Sequence, residues 1–246
     1  SSLGTWTQSQ STTVPSGQGF AKSLKMDCTT ADASPAASDI IRIQQAIEGQ
    51  NLQHLKYGTS SAKSTTLSFW VKSNKTGIYC VTLTQPDDSF SAHTIEYTIS
   101  SADTWEKKTL TFPADTTGTW GTDNGRGFSI RWCMGVGSTR QGTADTYNDS
   151  EAHGTANQTN LFATNGATFQ ITGLKLESGT IATDFEHRSF AQELALCQRY
   201  CYAVPVGATG SNYHAIMNGF FVNASLFIGL LNLPTNMRSS PSLTTS

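Results

Sequence analysis

Two aromatic side chains in polar loops have the residue types and neighbours that sugar recognition needs. Trp120 stands in TTGTWGTDNGRG beside Asp123, Asn124 and Arg126, and Tyr147 stands in DTYNDSE beside Asn148 and Asp149. A sugar ring stacks its C–H face on Trp or Tyr while nearby amides and carboxylates bond its hydroxyls. Trp120, Asp123, Asn124, Arg126, Tyr147 and Asn148 are therefore the candidates for glycan contact. The same two rings could instead pack over a sheet edge or at a subunit contact.

Covalent chemistry has less to stand on. His54, His93, His153, His187 and His214 form no HExxH pair, and the chain holds neither a GxSxG elbow nor a P-loop. Asp87 and Asp88 lie in a turn signal, where Asp bonds its own backbone. Asp145, Asn148, Asp149 and Glu151 bunch together, but their spacing matches no EF-hand, so a solvated acidic loop is expected rather than a calcium site. Cys197 and Cys201 sit one helical turn apart and could share a metal with His187 or His214. Two small core residues on one buried stripe is the expected outcome. No catalytic residue, metal or cofactor is predicted.

The 246 residues suffice for one large all-β domain, or for one of ordinary size plus a smaller one. Charged residues make up 14%, well below the roughly 25% of an average domain, and the net charge is −2. That balance offers no basic field for a phosphate backbone, so nucleic acid is excluded as a partner. Cys28, Cys80, Cys133, Cys197 and Cys201 are odd in number and scattered, which predicts no disulfide framework and suits folding in a reducing cytosol. No stretch approaches 18 uninterrupted apolar residues, and SSLGTWTQSQ has neither a basic nor an apolar leader region. Neither a membrane span nor a signal peptide is expected.

The elements that must position the candidates follow from period-2 alternation between residues 20 and 177. TTLSFWVKS places Leu67, Phe69 and Val71 on one face, and IYCVTL, HTIEYTIS and GFSIRWCMG repeat the pattern. Turn-rich spacers separate these runs, which predicts a two-layer antiparallel sandwich or barrel over about residues 5 to 178. Phe69, Val71, Tyr79, Val81, Ile95, Tyr97, Ile130 and Trp132 are its expected core, whereas Trp70 and Trp105 lie within strands as core or interface residues. DIIRIQQAIEGQNLQHL also fits a helical stripe through Ile40, Ile43 and Ile47; a strand to about Gly49 and a short helix from Asn51 to Lys56 are expected. The apolar phase shift across Gly173 in ATFQITGLKLESG predicts a β-bulge. Residues 138 to 165 keep no period and read as a long excursion off the sheet, a length that is often functional.

After the last strand, residues 179 to 204 form a linker and one helix. Ser189 and Gln192 make a capping box, and Phe190, Leu194, Cys197 and Cys201 recur on one face, with an end near Tyr202 before Pro205. Residues 205 to 246 are strand-like again and stop early, as the start of a second, smaller β-domain. The helix is thus read as a joint, and Phe190, Leu194, Leu196, Cys197, Tyr200 and Cys201 as its domain or oligomer contact.

Three segments carry a resemblance: TLSFWVKSNKTGIYCVTL, ISSADTWEKKTLTFPADTTGTW and ITGLKLESGTIATDFEHRSFAQELALCQRY. Over roughly residues 5 to 205 the chain resembles bacteriophage tail-fibre and related virion structural proteins, in which a jelly roll similar to carbohydrate-binding modules precedes a FEHR…ELALCQRY helix. The resemblance implies residues 1–178 as a jelly-roll sandwich, an interior piece of a longer fibre protein, and assembly in the host cytoplasm into a virion tail or head fibre. A homotrimer, contacts to other virion proteins and a host-surface glycan are the partners it implies. Such jelly rolls often carry a carboxylate on the final strand for a structural calcium; Thr172 stands there in this chain. A purely architectural decoration protein and an accessory module of a secreted glycan-active enzyme are the alternatives.

Overall fold

The structure is a computed structural model that describes residues 3–86, 91–148, 151–203 and 218–242. The chain divides into two compact units, Ser1–Phe185 and Glu186–Ser246. Asp87, Asp88, Asp149 and His214 lie outside the described residues.

The first unit is a sandwich of two five-stranded antiparallel sheets. The first sheet contains β1 (Thr5–Ser11), β2 (Ser23–Thr30), β4 (Thr65–Ser73), β7 (Glu106–Phe112) and β10 (Thr168–Ser178), in the order β1-β2-β10-β4-β7. The second contains β3 (Ile40–Glu48), β5 (Gly77–Thr84), β6 (Ala92–Ile99), β8 (Arg126–Val136) and β9 (Tyr147–Asn148), in the order β3-β8-β5-β6-β9. Chain direction crosses repeatedly between the sheets, so strands distant in sequence become neighbours, as in a jelly roll.

Alternation decides which side chains fill the space between the sheets. Leu67, Phe69 and Val71 of β4 meet Tyr79, Val81 and Leu83 of β5 and Phe128, Ile130, Trp132 and Met134 of β8, all of them buried. Full burial of each such side chain stabilises the fold by about 1.5 to 3 kcal/mol. Phe69 anchors the centre, with edge-on contacts to Tyr97 at 5.4 Å and Trp132 at 5.9 Å. Ile95 departs from expectation and is half-buried. It lies on β6, whose outer neighbour β9 pairs with Ala92 and His93 alone, so at Ile95 the sheet edge stays open.

The ambiguous stretch 40–48 is a strand, because β8 offers it a ladder over its full length, and two 3₁₀ turns, Gly49–Asn51 and Gln53–Leu55, follow. The bulge also occurs where the phase shift placed it: the β10–β4 register slips between Thr172 and Lys175, with Gly173 at φ +62°. A Cβ there would lie 2.4 Å from the Phe20 ring, so both backbone and space require glycine.

The second unit contains α1 (Phe190–Gln198), followed by the hairpin of β11 (Asn218–Asn223) and β12 (Leu226–Leu230). Ser189 and Gln192 form the capping box in both directions. Cys197 and Cys201, expected on a buried stripe, are exposed, and no residue of α1 is buried. A nine-residue helix and a two-stranded hairpin supply no layer thick enough to enclose such a stripe.

Candidate functional site

The outer face of the first sheet carries the side chains that alternate with its core residues. Since Phe69 and Val71 point inward, Trp70 and Lys72 point outward. Register sets Trp70 between Thr172 and Lys107, and Lys72 beside Gln170, which is itself opposite Lys25. The Lys72 ammonium lies 5.4 Å from the centre of the Trp105 ring, within cation–π range. Burial lowers the Lys72 pKa, against an opposing pull from Asp103. Trp70 and Trp105 are half-buried, and Lys107, Thr109 and Thr111 are exposed. The segment before β2 closes one side, where the Thr172 hydroxyl donates to the Lys22 carbonyl at 2.9 Å. Lys72, Gln170 and Thr172 are themselves buried, so what the face offers a partner is the half-buried Trp70 and Trp105 rings beside exposed Lys107, Thr109 and Thr111, groups able to stack a pyranose and bond its hydroxyls.

The loop candidates gather at one end of the sandwich around residues 113–126, with both rings engaged. Trp120 is half-buried and packs edge-on against Tyr57 at 4.6 Å and Phe128 at 6.2 Å. The Tyr147 hydroxyl donates to the Pro113 carbonyl at 2.8 Å and its ring sits 4.8 Å from His93. Burial raises the Tyr147 pKa, so that bond persists at any ordinary pH. Asp123 accepts from the Gly125 N–H at 2.8 Å, which makes it a turn-former. The Asn148 amide donates to the carbonyls of Thr143 and Thr146. Asn124 is exposed and Arg126, the first residue of β8, is half-buried.

The outer face of the second sheet is covered by its own chain. The described residues of the stretch 138–165, expected to leave the sheet, instead fold back over β5, β6 and β8. Asp145 and Thr159 donate backbone N–H groups to the carbonyls of Thr94 and Ile78. The Thr82 hydroxyl donates to the His153 carbonyl at 3.1 Å, Thr155 bonds Glu96, and the Gln158 amide donates to the Cys133 carbonyl. The physical reason is that this face carries polar and sulfur groups whose bonds within the sheet, such as Thr82 to Thr94, leave further hydrogen-bonding capacity, and the excursion supplies it. Cys80 and Cys133, paired across β5 and β8, are sealed beneath it. Burial pushes the Cys80 thiol up to about 11 and the Cys133 thiol higher still.

At the centre of this covered face lies Arg131, whose residue is 2% exposed. Its Nε donates to Gln44 Oε1 at 3.1 Å and its Nη1 to His153 Nδ1 at 3.3 Å. Because a guanidinium can only donate, Nδ1 must accept, and the imidazole carries its proton on Nε2. That nitrogen lies 3.5 Å from Glu151 Oε1, while Glu151 Oε2 accepts from Arg140 at 2.7 Å. Desolvation, reinforced by Arg131, Arg42 and Arg140, depresses the His153 pKa to about 3. Desolvation and Arg42 likewise lower the Arg131 pKa to about 10, which leaves it charged at neutral pH. Sequence reasoning missed this group; the available signal was a charged residue between Ile130 and Trp132 in an otherwise apolar run.

Among the described residues, no cluster of three or more metal-ligating side chains occurs, and no helix is long and apolar enough to cross a membrane.

No family model matches the chain, and no curated protein sequence matches it. Among solved structures, it is similar to the C-terminal family 22 carbohydrate-binding module of Clostridium thermocellum Xyn10B, with 15% identity, coverage of 74% of this chain and 91% of that one, and a TM-score of 0.39. A family 4 carbohydrate-binding module gives 16% identity, 67% and 73% coverage, and a TM-score of 0.36. The enzymatically active domain of bacteriophage CBA120 tailspike protein 4 gives 15% identity and a TM-score of 0.36, over 72% of this chain but 20% of that one. The jelly-roll assignment rests on the strand order described above rather than on these similarities.

Proposed function

We propose that the sandwich is a glycan-contacting, non-catalytic module of a virion tail or head fibre. The observation that carries the glycan reading is the outer face of the first sheet, where Trp70 and Trp105 stand half-open beside exposed Lys107, Thr109 and Thr111. The virion reading draws on the resemblance of the three segments named above, the last of which includes the capped helix. A fibre works by repetition, and many weak sugar contacts on one particle add up to firm adsorption. Association as a homotrimer through Phe190, Leu194, Leu196, Cys197, Tyr200 and Cys201 fits their exposure: Phe190 is 80% exposed and Leu196 51%. Apolar groups so placed are ordinarily covered by a partner.

The test is a glycan array probed with the wild-type chain, Trp70→Ala, and Trp120→Ala with Tyr147→Ala. Loss of binding in Trp70→Ala alone supports the sheet face, and loss in the loop variant moves the site to the end of the sandwich. No binding to any glycan by wild type assigns the module to architecture. Light scattering of wild type against Leu194→Asp with Leu196→Asp tests the trimer; identical masses would remove the helix from assembly.

A further inference from the structure

We propose that Arg42, held through the amide of Gln44 against the buried Arg131, forms a binding site for an oxyanion at the rim of the second sheet, with Arg42 as the contact and Arg131 as a positive charge behind it. Gln44 Oε1 accepts from the Nε of Arg42 and from the Nε of Arg131, each at 3.1 Å. Arg131 is opposite Gln44 in the β3–β8 register, and Arg42 is two residues along the same face, so the strand geometry forces the two guanidiniums together. One neutral oxygen between two cations is an incomplete arrangement. Buried arginine is ordinarily paired with a carboxylate or phosphate, and two like charges held close in low dielectric repel strongly.

The charged groups that act on this position are Arg42, Arg126, Arg131, Arg140 and Glu151. Among the described residues, the carboxylate that acts on both Arg42 and Arg131 is Glu151, and it is already bonded to Arg140, while Arg126 lies opposite Glu48 in the strand register. The terminal nitrogens of Arg42 donate to no described residue, and Arg42 is half-buried beside an exposed Gln44 on the edge strand β3. Donors, positive potential and an open approach coincide there. A carboxylate, sulfate or phosphate group fits, because its oxygens accept from a guanidinium fork in charge-assisted bonds and cancel the repulsion behind it. The site goes beyond the glycan-facing reading of the first sheet and does not depend on it. Its anion has the same chemistry whether it is free or carried on an acidic glycan.

The experiment measures melting temperature for wild type, Arg42→Gln and Arg42→Lys at fixed ionic strength. The probes are sodium sulfate against sodium chloride, and then a glucuronate-containing oligosaccharide against its neutral counterpart. Arg42→Gln should match or exceed wild type in chloride, since it removes one of two like charges. Sulfate should stabilise wild type saturably and bind Arg42→Gln at least ~tenfold more weakly, with Arg42→Lys in between because a point charge lacks the fork. Arg42-dependent stabilisation by the uronate oligosaccharide beyond that by sulfate identifies an acidic glycan as the source; an equal or smaller effect identifies a free anion. Equal responses of wild type and Arg42→Gln to every probe, or no response at all, would overturn the site.

Discussion

The two outer faces of this sandwich obey the same alternation and end differently. On the first sheet, Trp70 and Trp105 remain half-open to solvent beside exposed Lys107 and Thr109. On the second, Arg131, Thr82, Thr94, Cys80 and Cys133 are buried under residues 138–148 and 151–165. Position outside the core therefore did not decide exposure. What decided it was whether a later segment carried the donors and acceptors that the face left unpaired. A covered polar face contributes to stability, whereas a half-open aromatic face is free to meet a partner.

The sharpest break in this contrast is Arg131→Ala. It leaves a cavity and removes the donor to buried His153 and one of the two donors to Gln44, so a loss of about 3 kcal/mol is expected in denaturant unfolding. A loss below about 1 kcal/mol would mean that the roof is only laid on the sheet. Acid should weaken the same face. His153 is held neutral, with its folded pKa near 3 against about 6.5 unfolded. As pH falls below about 6.5 the unfolded chain takes up the proton first, so stability declines from there to about pH 3 and this contribution is then exhausted. Comparing the pH dependence of unfolding with that of His153→Gln isolates the contribution, and parallel curves would refute it.

A smaller effect, on the order of 1 to 3 kcal/mol, is expected for Gly154→Val. A Cβ at Gly154 would meet Cys133 Sγ and Val136 Cγ1, each at 3.2 Å, and lift the roof. Thiol labelling followed by mass spectrometry reads this directly. Exposed Cys197 and Cys201 should react fast and sealed Cys28, Cys80 and Cys133 slowly in wild type, with Cys133 accelerated in the variant. The smallest change is reserved for the open face: Trp70→Ala should cost less than about 1 kcal/mol, since the ring is half-exposed, against about 3 to 5 kcal/mol for buried Trp132→Ala. A Trp70→Ala loss as large as that of Trp132→Ala would make Trp70 a packing residue and remove the basis of the glycan proposal.

Much of the scaffold was legible in the residues alone. Alternation through Phe69, Val71, Tyr79 and Val81 named the core, the phase slip at Gly173 named the bulge, and Ser189 with Gln192 named the start of α1, because strand parity and helix capping act over a few residues. The loop aromatics were legible as types but not as environments. Nothing near Trp120 in sequence announces that Tyr57 will pack against its ring, and nothing near Tyr147 announces Pro113.

The sequence by itself determined which side of each strand faces inward, since that depends on residues two apart. Tertiary structure alone decided what lies on the other side. Arg131 meets Gln44 across 87 residues of chain because the sheet order puts β3 beside β8, and Thr155 meets Cys80 across 75 because the chain after β8 folds back over β5. A period of two can place a side chain outside the core, but solvent or a covering segment reaches it according to how distant strands close into sheets.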